Sequence, residues 1–232
     1  MKTPIRLGLI GCGGIIQQQH LPTLLTLAEV QITALTDPMP KNLATVGETT
    51  GVTAEQHYAD YRDMLSKAPL DAVIIATPHH LHAEQVIAAT EAGLTVISEK
   101  PMATSLEEAA TVLDAVARHK TIYTVVHNAV FTPGALRAYE LLHNNDLPAP
   151  QVGRGTALHR LARETHEWSE IPLDVTDYNR TGHADYLKAT FAALAAGSPP
   201  PITGEMAHHN LAIIEAARLA SDARRAIDLT EL

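Results

Sequence analysis

Apolar residues in the first half of the chain fall into short unbroken runs separated by amphipathic stretches. The runs Ile5–Ile10, Val30–Thr36, Ala72–Ala76, Thr95–Ser98 and Tyr123–Val126 are rich in branched aliphatic side chains. A run without polar alternation suits a strand buried on both faces. Between the runs lie helical stretches: Gln17–Leu27, Lys41–Thr50 stopping near Gly51, Tyr61–Lys67, Leu81–Ala92 stopped by Gly93, and Leu106–His119. In the last of these, Leu106, Ala109, Ala110, Leu113, Val116 and Ala117 share one face at 3.6-residue spacing. Strand and helix alternate throughout. The pattern predicts an α/β fold over residues 1–126, with a doubly wound parallel sheet covered by helices on both faces.

The pattern is looser over residues 127–232. Pro133–Asn144 reads as a helix and Leu147–Pro150 as a breaker. Gln151–Leu161 and His166–Ile171 are expected to pair as a small antiparallel ribbon, followed by an extended stretch, Pro172–Asn179. Two helices follow, near His183–Ala196 and Glu205–Ala220, separated by Gly197–Pro201, and Ala226–Leu229 reads as a last short strand. This is a reduced α+β part, and so small a sheet needs a helix face for stability.

Composition narrows the partners. The net charge is −9 with no block of like charges. Nucleic acid and anionic membrane both require a basic patch, so neither is expected. One cysteine, Cys12, allows no internal disulfide and fits a reducing cytoplasm. The apolar run at the N-terminus is short for a signal peptide, and no stretch approaches the ~18 apolar residues of a membrane span.

Chemistry first appears at GLIGCGGIIQQQHLP, residues 8–22, where a strand runs into glycines and then a helical stretch. Such a turn cradles a dinucleotide pyrophosphate. Gly11 allows the tight turn, and Gly13 lets the backbone approach the phosphates. Gly14 and Ile15 complete the cofactor-binding turn. The third glycine of the usual G-x-G-x-x-G is replaced by Ile16, which alters helix–strand packing rather than a phosphate contact. Asp37 lies at the end of the second run. A carboxylate there accepts both ribose hydroxyls of NAD and repels the 2′-phosphate of NADP. Lys41 is the only nearby cation, so NAD is favoured over NADP. Cys12 is read as a small filler in preference to a thiol with a lowered pKa, and His20 as a residue that packs with Pro22 in preference to one that faces the site.

Three further segments carry a family resemblance: ATPHHLH (Ala76–His82), AGLTVISEKPMA (Ala92–Ala103) and VVHNAVFTP (Val125–Pro133). With the glycine turn and Asp37, they resemble the Gfo/Idh/MocA oxidoreductases, which include glucose–fructose oxidoreductase and inositol dehydrogenase. The resemblance implies a Rossmann-type domain and an NAD-dependent dehydrogenase acting on a sugar, cyclitol or related polyol. It implies that Thr77, Pro78 and His82 line the nicotinamide side, with Glu99 beside the cofactor. Lys100 would stand at the hydride-transfer site, with Pro101 shaping the turn through a peptide that is often cis in the family. The last helices also resemble the family's closing helices.

The chain departs from the family in its second domain. Members carry an aspartate and a histidine in a G-x-x-x-D-x-x-x-H-like motif, and residues 146–182 do not contain it. Asp174–Asn179 and Gly182–Leu187 have the residue types, but the resemblance places them beyond the sheet, near the closing helices. Roughly a hundred residues are missing against typical family length. His127 is the candidate substitute for acid–base work, with a pocket-lining role as its alternative, and Asn128 is a candidate ligand for a substrate hydroxyl. The pairs His79–His80 and His208–His209 diverge in direction, and no metal site is expected. Two readings result. One is a shortened active dehydrogenase with a Rossmann domain (1–126) and a reduced substrate and oligomerisation part (127–232), its homo-oligomer weakened by the small sheet. The other is a catalytically impaired nucleotide-binding or interaction protein of the same fold.

Overall fold

The computed structural model describes residues 4–132, 135–136, 158–161, 168–171 and 182–232. Among the described residues there are eight strands: β1 Ile5–Ile10, β2 Val30–Thr36, β3 His57–Tyr58, β4 Ala72–Ile75, β5 Thr95–Ser98, β6 Tyr123–Val125, β7 Leu158–Leu161 and β8 Trp168–Ile171. The α-helices among the described residues include α1 Leu21–Leu24, α2 Pro40–Thr50, α3 Tyr61–Lys67, α4 His82–Glu91, α5 Leu106–His119, α6 His183–Ala195 and α7 Gly204–Ala223. The chain divides into two compact units, residues 1–127 with 187–232, and residues 128–186.

In the first unit, six parallel strands lie in the order β3-β2-β1-β4-β5-β6. The chain winds outward from β1 to β3, crosses back, and winds the other way through β4 to β6. This is the doubly wound Rossmann arrangement, with its switch point between β1 and β4. β4 and β5 are buried at every position, which is why AVII and TVIS carry no alternation. Each fully buried aliphatic side chain there contributes roughly 1.5–3 kcal/mol.

Helix boundaries follow local chemistry. Ser105 caps α5 by accepting from the Glu108 N–H at 3.1 Å, and Asp60 caps α3 by accepting from the Arg62 N–H at 2.8 Å. Gly51 ends α2 in the left-handed region at φ 76°, a conformation that glycine takes without a Cβ penalty. α7 starts against β6 and α5. A side chain at Gly204 would meet the Tyr123 ring at 2.8 Å and Leu113 at 2.9 Å. Ala207 and Leu211 extend the core that β4–β6 and α5 build, so this closing helix packs on the Rossmann half.

Several expectations are revised. β3 was not anticipated, because two residues pairing with Leu35 and Thr36 leave no periodic signature. The helix expected over Gln17–Leu27 is a π-helical turn, Ile16–His20, followed by the single α-turn α1. Pro22 has no N–H to give to a regular ladder here. The buried face of α5 is also rotated. Ala109, Val112 and Ala115 are buried, whereas Ala110 and Ala117 are exposed. Alanines are too small to define a stripe, and packing against α4 and α7 decides the face. Ala226–Leu229 is not a strand. Asp228 accepts from Thr230 N–H at 2.9 Å, and Glu231 accepts from Asp228 N–H at 2.9 Å, closing a 3₁₀ turn over Leu229–Glu231.

In the second unit, β7 and β8 pair antiparallel, Leu158 opposite Ile171 and Leu161 opposite Trp168. The expected ribbon is therefore present in the described part of Gln151–Leu161 and His166–Ile171. Phe131 and Tyr186 meet edge to face, with ring centroids 5.8 Å apart. The helix expected over Pro133–Asn144, apart from residues 135–136, lies outside the described residues, as do the breaker at Leu147–Pro150 and the extended stretch Pro172–Asn179.

Candidate functional site

Strand register sets out the site. Ile10 lies opposite Ile75, Ile75 opposite Ser98, and Ser98 opposite Val125. Two residues beyond that line stand Cys12, Thr77, Lys100 and His127. Paired strands are ~4.8 Å apart, so the sheet lays these four residues along its carboxyl edge. Ligands of open α/β sheets bind outside this edge, at the switch point.

Gly11 sits at the switch point with φ +88°, and a Cβ there would lie 2.6 Å from the Ala76 carbonyl oxygen. No other residue fits between the β1 and β4 ends. Gly13 differs: no atom comes within 4 Å of where its Cβ would be. Gly14 has only Gln18 nearby, at 3.7 Å. The turn thus presents bare backbone toward open space, as a pyrophosphate requires, and the residues present fit a dinucleotide. Ile15 is exposed at the rim of the turn, whereas Ile16 is fully buried. The wide π-turn makes room for the Ile16 side chain where the usual motif has only a hydrogen.

Asp37 follows β2 and is nearly buried. Its Oδ2 accepts from the Cys12 N–H at 2.8 Å. Its Oδ1 accepts from the Met39 N–H at 2.8 Å and from Asn42 Nδ2 at 3.1 Å. Lys41 is exposed and forms no ion pair with Asp37. The Cys12 thiol is buried and donates to the Thr36 carbonyl at 3.6 Å. Burial, reinforced by the Asp37 charge, pushes its pKa up to about 12, so this thiol is a filler and not a nucleophile.

The other end of the edge is built differently. Glu99 Oε1 lies 3.0 Å from Nε2 of His20, whose ring is fully buried. The other carboxylate oxygen accepts the Lys100 N–H at 3.3 Å. The Lys100 side chain is exposed, and the Lys100–Pro101 peptide is cis. His127 is half-buried, and burial lowers its pKa below the ordinary histidine value against the opposing charge of Glu99. Asn128 is half-buried and belongs to the second unit.

His82, expected at the nicotinamide, is fully buried. Its Nδ1 lies 2.7 Å from the Pro101 carbonyl and its Nε2 2.9 Å from the Thr77 carbonyl. Both polar atoms face backbone, so the ring ties the β4 turn to the β5 turn. One N–H serves one of these carbonyls, and serving both takes both ring protons. One helical turn on, Gln85 Oε1 accepts the Thr77 hydroxyl at 2.5 Å. Pro78 precedes the 3₁₀ turn that leads into α4.

The comparisons decide the family. The model of the Gfo/Idh/MocA family, described as "Oxidoreductase family, NAD-binding Rossmann fold", matches residues 5–127. The chain belongs to this family. A levoglucosan dehydrogenase of Pseudarthrobacter phenanthrenivorans is 30% identical, over 72% of this chain and 43% of its own length. An inositol 2-dehydrogenase/D-chiro-inositol 3-dehydrogenase of Shouchella clausii is 31% identical, over 75% of this chain and 49% of its own. The chain therefore spans about half the length of the curated relatives it matches. An oxidoreductase of Agrobacterium radiobacter, solved with NAD+, L-tartaric acid and magnesium, superposes with a TM-score of 0.81. That match has 14% identity and covers 99% of each chain. The matched domain is an NAD-binding one, in agreement with the cofactor expected from the glycine turn and Asp37.

Within this Gfo/Idh/MocA frame, Asn42 and Gln85 were not named from the sequence, and His20, expected to pack, also meets a carboxylate. Asn42 carried no signal, because an asparagine in a first helical turn is ordinary. Gln85 sits three residues after His82, a spacing that places both on one helix face, and this was legible. His20 reaches a carboxylate 79 residues away, and nothing local announces that contact. Among the described residues, no helix is long and apolar enough to cross a membrane.

Proposed function

We propose that the chain is an NAD-dependent oxidoreductase moving a hydride between the nicotinamide and a sugar, cyclitol or related polyol. The observation that carries this reading is the shared register, which lays Thr77, Lys100 and His127 beside the open glycine turn. Gly11, Gly13, Gly14, Ile15 and Asp37 would hold the cofactor, and Thr77, Pro78 and Glu99 would border its nicotinamide end. His82 acts from behind, through backbone. When bound, NAD supplies the hydride acceptor.

The chain's own residues handle the proton. The substrate hydroxyl would lie between Lys100 and His127. His127, its pKa lowered by burial, is neutral at neutral pH and accepts the hydroxyl proton. The Lys100 ammonium stabilises negative charge on that oxygen as the carbon gives up its hydride and the carbonyl forms. Glu99, held between His20 and the Lys100 N–H, fixes the start of the Lys100 turn. Reduction runs these steps in reverse.

In this reading, residues 1–126 form the cofactor domain; of the expected substrate and oligomerisation part, 127–232, residues 187–232 join the compact unit of the cofactor domain. A cytoplasmic location fits the single buried cysteine, and a homo-oligomer, weakened by the small sheet, belongs to the same proposal. The acidic charge also speaks against nucleic acid as a partner.

Calorimetric titration with NADH, with NADPH alongside, tests the cofactor half of the proposal. The expected result is saturable NADH binding near micromolar, roughly −8 kcal/mol, with NADPH weaker. A polyol and sugar screen on the same preparation tests turnover. Binding without turnover of any polyol would sink the catalytic half alone.

A further inference from the structure

Asp37 has fewer acceptor sites open than a ribose needs. A carboxylate offers about four lone-pair positions, two on each oxygen. Oδ1 already takes the Met39 N–H at 2.8 Å and the Asn42 amide at 3.1 Å. Oδ2 takes the Cys12 N–H at 2.8 Å. One position remains, on Oδ2. All three donors are neutral, and among the described residues no cation pairs with this carboxylate. Its charge therefore stays, while its capacity to accept is nearly used.

We propose that Asp37 accepts only one of the two adenosine-ribose hydroxyls, and that Asn42 is the specificity-determining residue that imposes this limit. The proposal rests on the NAD reading above and goes past it. It corrects the expectation that Asp37 takes both hydroxyls. The mechanism is positional. Met39 and Cys12 give backbone N–H groups that stay in place whatever their side chains. Asn42, half-buried in the first turn of α2, is the one donor that a substitution removes. With its amide gone, one Oδ1 position opens and a second hydroxyl gains an acceptor. Asn42 also pins the carboxylate against rotation, so the surviving Oδ2 position keeps one direction. The unpaired charge continues to repel a 2′-phosphate in either case.

The test is calorimetric binding to the full chain. NADH is compared with two analogues that lack either the 2′- or the 3′-hydroxyl of the adenosine ribose. The native protein is expected to bind one analogue at least about tenfold more weakly than NADH, as for a lost hydrogen bond to a charged group. The other analogue should bind within about twofold. In Asn42→Ala both analogues should bind more weakly than NADH, while NADPH stays weak. Alanine is a good helix former, so α2 persists, and circular dichroism confirms the fold. Two equally weakened analogues on the native protein overturn the inference, as does an Asn42→Ala pattern identical to native. NADH that fails to bind the native protein overturns the cofactor reading and this inference with it. NADH that binds with the wrong analogue pattern overturns this inference alone.

Discussion

Two acidic side chains at the carboxyl edge of the sheet, Asp37 and Glu99, draw their side-chain partners from different distances along the chain. Asp37 takes its donors from Met39 and Asn42, close by in the chain, and from Cys12 at the end of the adjacent strand. Glu99 is held by His20, 79 residues away and fully buried. Two of the three donors at the proposed cofactor end therefore come from the local turn after β2, and the third from the turn after the adjacent β1. The proposed chemistry end, around β4 to β6, takes its buried His20–Glu99 contact from segments distant in the chain. Damage at one end should leave the other largely intact.

The sharpest way to break that comparison is Lys100→Ala. Turnover with a responsive polyol should fall about 10²- to 10³-fold, the loss seen when one group stabilising an oxyanion is removed. NADH affinity should stay within about threefold, measured by the same calorimetry. Equal loss in both would mean that the two ends are not separable.

Gly11→Ala attacks the cofactor end. At φ +88°, with the Ala76 carbonyl 2.6 Å from the new Cβ, the cost should be about 3 kcal/mol of stability. NADH binding should be lost at temperatures where circular dichroism still reports a fold. Urea unfolding gives the number, and a change below about 1 kcal/mol would refute the close approach of the two turns.

His20→Leu should cost less, about 1–3 kcal/mol, by leaving the Glu99 carboxylate short of a buried partner. NADH binding should change little and turnover more. A stability equal to native would show that the Glu99 contact contributes nothing net.

A smaller effect is expected with pH. His127 has a lowered pKa in the folded chain, so folding disfavours its charged form. Its contribution to stability is present above the ordinary histidine value, near 6.5. It is lost as pH falls through the lowered folded value, because the unfolded chain binds the proton first. His127→Asn should flatten the Tm profile across that window. The acid limb of the native turnover profile should likewise lie below the ordinary value. Smallest of all is Cys12. With its thiol pushed to about 12, reaction with a disulfide reagent at neutral pH should be slow in the folded protein and fast in urea. Rapid labelling of the native chain would contradict its burial.

Much of the sheet was legible because buried parallel strands need unbroken apolar runs, and β2, β5 and α3 keep the expected bounds. Legible for the same kind of reason were Gly11, Gly51 and Gly93, each at a positive φ that punishes other residues. The rotated face of α5 was not, since its alanines satisfy either of two stripes. The partners of the His82 ring were not legible either. Its type says only that it carries ring nitrogens, not that both face backbone carbonyls from Thr77 and Pro101.

By itself the sequence determined the alternation of strand and helix, the glycine turn, the acid after β2 and the lysine after β5. Each is a local demand of backbone geometry or of burial. Tertiary structure alone decided which carboxylate meets which donor: Asp37 with Cys12, Glu99 with His20, His82 with two turns at once. Those partners are chosen by strand order and register, and register is set by packing of the whole sheet. A one-dimensional pattern carries the periodicity of each element but not the distance between elements, and hydrogen bonds form only where that distance closes to about 3 Å.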